Sequence, residues 1–185
     1  QVEDVIRESK KLTEDSEKRV RDIIRRLKKT IKDSEDRVRR MVEELRERIK
    51  RLRERLESED ERVVREVERV VRELEKLVKE AEDRARKFLE TSDRIVREIE
   101  KRAREMLEES KRVLEEIKRL ADEGVSDEVI ETLLRKDRDL NRRVNEELRK
   151  LEEEVEELNR RVNETIKEIL RRIAELIRRI LEKTK

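Results

Sequence analysis

The chain contains no cysteine, proline, histidine, tryptophan or tyrosine, and only one glycine, Gly124, and one phenylalanine, Phe88. Each absence closes a class of chemistry. Without cysteine there is no disulfide, no thiolate nucleophile and no cysteine-based metal site, and the redox compartment is left undetermined. Without histidine the usual general base and commonest metal ligand are missing. A single glycine cannot build a glycine-rich phosphate cradle. No apolar run approaches the roughly 20 residues of a membrane span. No signal peptide is read at Gln1-Val2-Glu3-Asp4, so no compartment is assigned.

What is present is charge. Of 185 residues, 57% are charged and 32% hydrophobic, and 54 basic side chains against 52 acidic ones leave a net charge of +2. High charge with few aromatics is normally the mark of a disordered chain. Here regular spacing of the apolar residues outweighs it, and the composition is that of long helices or coiled coils. The two signs interleave throughout, whereas nucleic-acid binders carry a stripe of one sign. Arg46 to Arg55 is locally basic but is interrupted by Glu47 and Glu54, and reads as a solvated helix face. No nucleic-acid or membrane partner is expected.

The apolar residues recur at i, i+3, i+4 and i+7, the spacing of an amphipathic helix. A longer period is sharper. Val2, Val20, Val38 and Leu56 are each 18 residues apart, as are Ile6, Ile24 and Val42; Val63, Ala81, Ile99 and Ile117; and Val144, Val162 and Ile180. The segment Leu140-Asn141-Arg142-Arg143-Val144-Asn145-Glu146 returns unchanged at Leu158 to Glu164, 18 residues on. Eighteen residues make five helical turns, so the stripe runs straight, where a heptad stripe drifts by about 20° per repeat. Nearly straight helices with little supercoil are expected.

Two joints divide the chain. Gly124 suits the left-handed position after a helix, Ser126 is a good N-cap, and Val125 with Ile130 has the spacing of a hydrophobic staple. Earlier, Glu57 to Arg62 contains no apolar residue, and Ser58 with Glu61 has the spacing of a capping box. The stripe is nearly continuous there, so an unbroken helix of about 120 residues is also open. Three matched lengths favour three helices, about 1–57, 59–122 and 126–183, each a rod of roughly 85–95 Å. The expected fold is all-α: one long antiparallel three-helix bundle over residues 1–185. Apolar arcs of roughly 120–160° suit a helix with two neighbours, which favours a monomer requiring no partner and leaves a homo-oligomer as the alternative.

The polar residues inside the stripes are the candidate site. Ser9, Ser16 and Ser34 lie mid-stripe on the first helix, Ser92 and Ser110 on the second and Asp137 on the third. Asn141, Asn145, Asn159 and Asn163 follow one edge of the third stripe. Folding the rods about the joints puts Ser9, Ser110 and Asp137 within about one turn of the same level. It puts Asn145 near Ala103 and Thr13, and Asn163 near Ala85 and Thr30. A buried acid with two hydroxyls could be a nucleophile and base, but no orienting histidine or irregular backbone supplies the partners that chemistry needs. One core carboxylate is too few strong ligands for a hard cation. No catalytic, cofactor or metal residue is therefore assigned. Ser9, Ser110, Asp137, Thr13, Asn145, Thr30 and Asn163 are read as a structural layer that sets helix register. For Ser16, Ser34 and Ser92 that reading stands equal with a bond to the carbonyl one turn back.

The repeat, the Gly124 loop and the Arg/Glu-rich faces resemble those of computationally designed helical bundles, in particular untwisted three-helix bundles with 18-residue repeats and core hydrogen-bond networks. The likeness covers the whole chain and carries no catalytic residue with it. It implies a de novo structural scaffold. The alternative is an interaction module, either a homo-oligomer subunit or a bundle that accepts another helix, and Leu170, Ile173, Ile177 and Leu181 give the third helix a wholly apolar end where a partner would sit. A helical protein that opens on lipid fits less well, because its glutamates lie beside arginines on the polar face.

Overall fold

The computed structural model describes residues 2–57 and 59–183. Among these, three helices pack against one another with no strand: α1 (Val2–Leu56), α2 (Glu61–Asp122) and α3 (Asp127–Lys183). The chain is an all-α three-helix bundle. Arg, Glu, Lys and Leu are strong helix formers and no proline interrupts them. Even the turn-like letters Thr91-Ser92-Asp93 lie inside an unbroken α2.

Both joints are real breaks. After α2, the Val125 amide donates to the Leu120 carbonyl at 3.1 Å and the Gly124 amide to the Ala121 carbonyl at 3.2 Å. With Gly124 at φ 74°, this pair is a Schellman motif. The Ser126 carbonyl then accepts from the Ile130 amide at 3.4 Å, which makes Ser126 the N-cap of α3. At the first joint α1 ends at Leu56, whose carbonyl accepts from the Glu59 amide at 3.1 Å. The Val64 amide donates to the Asp60 carbonyl at 3.0 Å, so Asp60 occupies the N-cap and α2 begins at Glu61. This corrects the expected capping box. Glu61 opens the helix and cannot sit three residues after its cap. The other half of that pair, Ser58, lies outside the described residues.

Contacts gather into two compact units, each built from a stretch of all three helices: Gln1–Lys29 with Asp93–Val155, and Thr30–Ser92 with Glu156–Lys185. In the first unit Glu17 pairs with Lys111 and Lys28 with Glu100. Each advance along α1 is matched by an equal retreat along α2, so the two run antiparallel. Arg26 pairs with Glu152 of α3 at 3.0 Å. Ile6, Val113, Leu114, Ile117, Ile130, Leu134 and Leu140 form an apolar cluster of this unit. In the second unit Arg46–Glu82 and Arg53–Glu75 repeat the antiparallel pairing of α1 and α2. Its core is almost wholly aliphatic, drawing Val42, Leu45 and Ile49 from α1, Leu74 and Val78 from α2, and Ile169, Ile173 and Ile180 from α3. Leu170 and Ile177 pack against that core, while Leu181 at the same end of α3 is 36% exposed.

Candidate functional site

The first unit holds a buried polar layer to which every helix contributes. One turn of α1 supplies Ser9 and Thr13, α2 supplies Ser110, and one turn of α3 supplies Asp137 and Asn141. All five are buried, and Ser110 and Asp137 are 0% exposed. Residues four apart on a helix share a face, so each pair points into the same level of the core.

The bonds run from helix to helix. Ser110 Oγ donates to Asp137 Oδ1. Thr13 Oγ1 lies 2.9 Å from Ser110 Oγ and 3.1 Å from the Ser9 carbonyl oxygen. Ser110 has spent its only proton on Asp137, so Thr13 offers one proton to two acceptors. Asn141 Nδ2 donates to the Asp137 carbonyl at 2.9 Å and reaches Ser110 Oγ at 3.3 Å and Thr13 Oγ1 at 3.4 Å. Ser9 takes part through its backbone carbonyl. Burial pushes the Asp137 carboxyl above the ordinary carboxylate range, while the Ser110 hydrogen bond and the charge of Arg138 act against it. Among the described residues, the buried oxygens Asp137 Oδ2, Asn141 Oδ1 and Asn145 Oδ1 have no partner.

The remaining polar residues divide. Asn145 is half-buried, and its amide donates at 3.0 Å to the Asn141 carbonyl on its own helix and not to Thr13. Thr30 and Asn163 are both half-buried. In the second unit it is Ser34 that crosses, donating to Asn159 Oδ1 at 2.8 Å and accepting from Arg37 at 3.3 Å. Ser92 bonds back to the Phe88 carbonyl at 3.0 Å. Of the four asparagines read along one edge of the α3 stripe, Asn141 and Asn159 bond to another helix. The verbatim repeat held that signal: they occupy the same place in its two copies, and Asn145 and Asn163 share the other.

Chemically, a hydroxyl bonded to a carboxylate is the start of a nucleophile–base pair. The pair here is closed off from solvent on every side, and its neighbours are hydroxyls, an amide and aliphatic side chains. Among the described residues no group of three or more Asp or Glu side chains is placed to hold a metal ion. Among the described residues no helix is long and apolar enough to cross a membrane. The surface groove between α1 and α2 of the second unit has Val38, Val42 and Leu89 at its floor. At its rim Arg46 and Arg86 both pair with Glu82. No family model matches the chain, and comparison with curated proteins and with solved structures gives no match.

Proposed function

We propose that the chain is a structural scaffold of the kind made by computational design, and that its buried polar residues determine helix pairing and register. One observation carries this reading: Thr13, Ser110, Asp137 and Asn141 meet at one level from three helices. The 18-residue period makes the apolar stripes nearly self-similar, so aliphatic packing alone discriminates poorly between registers. A slip of one turn, about 5.4 Å, takes Ser110 away from Asp137 and sets both against aliphatic neighbours. Each buried polar group stranded this way costs about 1–3 kcal/mol. Ser34 and Asn159 add a second such check in the other unit. The reading assigns no catalytic, cofactor or metal role.

The test replaces the layer with apolar residues: Thr13→Val, Ser110→Ala, Asp137→Leu and Asn141→Leu together. Helicity by circular dichroism should persist. Spin labels at the exposed Lys18 and Arg112 should then report several distances where the parent chain reports one. A single unchanged distance, with unchanged mass by light scattering, rules out the register role.

A second reading, a module that exchanges a helix with another copy, draws on the start of α1. Between Ile6 and Val20 its core face carries only Ser9, Thr13 and Ser16, and Leu12 is 39% exposed. Light scattering over a concentration series separates the two readings. A mass that stays monomeric favours the scaffold, and a mass that doubles favours exchange.

A further inference from the structure

The layer leaves buried acceptors without donors. Its donors are the hydroxyls of Ser9, Thr13 and Ser110 and the amide groups of Asn141 and Asn145. The Thr13 and Ser110 protons and both amide nitrogens are already directed at other oxygens of the layer. Asp137 Oδ2 and Asn141 Oδ1 are left facing a buried environment as two acceptors without a donor. Both head groups converge on one atom, since Ser110 Oγ donates to Asp137 Oδ1 and lies 3.3 Å from Asn141 Nδ2. The two side chains are also one turn apart on α3 and share a face. A single added proton joins these two acceptors, because a neutral carboxyl carries an O–H donor while its other oxygen still accepts; Asn145 Oδ1 is not reached by it.

We propose that Asp137 is a proton-binding site: in the folded chain its carboxyl stays neutral at pH values where exposed carboxylates are ionised, and Oδ2 donates to Asn141 Oδ1. Among the described residues no cation is hydrogen-bonded to the carboxyl, and Arg138 acts on it through its charge alone. From α1 the carboxyl is faced by Ser9 and Thr13 and from α2 by Ser110, none of which titrates in this range. The charge that acts on it is that of Arg138, which is exposed. Arg138 is next to it on α3, Lys136 pairs with Glu109, and Lys111 pairs with Glu17 and Glu108. Burial disfavours the ionised form more than the Ser110 hydrogen bond and Arg138 favour it. The bundle therefore folds with proton uptake at this position. The inference stands apart from the register role, since a layer that specifies nothing would still hold a neutral carboxyl.

The experiment follows the side-chain carboxyl resonances of ¹³C-labelled aspartate in the full chain as pH is varied. Asp137 is identified by backbone assignment and by loss of its signal in Asp137→Asn. Its midpoint should lie above those of all exposed aspartates. In parallel, the unfolding constant of the parent chain relative to Asp137→Asn should rise with pH by up to tenfold per unit between the free-carboxyl value, about 3.9, and the folded midpoint. A resonance that titrates together with the exposed aspartates overturns the proposal, as does a ratio that is flat or falls with pH. The resonance titration gives its answer even if the asparagine variant does not fold.

Discussion

Ser110 and Asp137 join α2 to α3 through a hydroxyl-to-carboxylate hydrogen bond in which neither side chain has any exposed surface. A bond of this kind is worth more when lost than its net contribution to folding suggests, because its removal leaves a buried acceptor without a donor.

Ser110→Ala leaves Asp137 Oδ1 without its donor, and removes an acceptor from Thr13 and Asn141. A loss of about 1–3 kcal/mol is expected, read from urea denaturation at constant slope. Adding Asp137→Leu removes the stranded group as well, so the double variant should be destabilised less than the two single losses added together. Strict additivity would show that the two side chains are energetically independent.

Two buried or half-buried carboxylates of the same unit should respond to pH with opposite signs. Burial also acts to raise Glu100, but hydrogen bonds from Arg104 and Lys28, with their charges, outweigh it and hold the group below the ordinary range. Lys28 Nζ lies at 3.3 Å and Arg104 Nη2 at 2.9 Å. A lowered folded-state value means that the stabilisation is present above the unfolded value, about 4.3, and is lost as pH falls through the folded one. Glu100→Gln should therefore cost up to about 1 kcal/mol at neutral pH, and the deficit should vanish in acid. For Asp137, raised by burial, the stabilisation is present in acid and lost as pH rises. Denaturation of the two single variants across pH checks both signs, and a Glu100→Gln deficit that persists in acid contradicts the first.

Gly124→Ala tests the joint between α2 and α3. A methyl group at Gly124 would meet no atom within 4 Å, so crowding contributes nothing. The whole penalty is backbone strain at φ 74°, about 1–2 kcal/mol for a side chain in the left-handed region. Gly124→Asn should cost less, since asparagine tolerates this conformation best among the others. Equal stability of all three chains by urea denaturation would show that the turn does not hold the Schellman geometry in solution.

The three helices and their inward faces were legible because a stripe of 18-residue period states both the element and the face it buries. The Gly124 joint was legible for an equally local reason, that a single residue type relieves the left-handed turn. The start of α2 was not. Ser58 and Asp60 are both good N-cap residues two positions apart, and local chemistry does not choose between them. The layer was legible only to within a turn. The spacing puts Ser9, Ser110 and Asp137 at one level, sets Thr13, one turn on from Ser9, opposite Ala103 and Asn145, and does not separate Asn141 from Asn145. These two share a face, and which of them reaches Ser110 depends on an axial offset smaller than the turn between them.

The beginning of α1 should be the part of the first unit that opens most readily. From Val20 onward its core face is Val20, Ile23, Ile24 and Leu27, all buried. Before Val20 that face offers Ser9, Thr13 and Ser16, and Ile6 is the buried aliphatic residue that anchors it. A buried leucine or isoleucine contributes about 1.5–3 kcal/mol, and the hydroxyls supply no comparable term, so local opening of this segment costs little. Amide hydrogen exchange should be at least about tenfold faster over residues 8–18 than over residues 130–140 of α3, whose Ile130, Leu134 and Leu140 are buried in the same unit. Ser16→Ala, which removes a buried hydroxyl and adds helix propensity of about 0.5 kcal/mol, should slow that exchange roughly twofold. Equal protection of the two segments would mean that the polar layer holds α1 as firmly as aliphatic packing does.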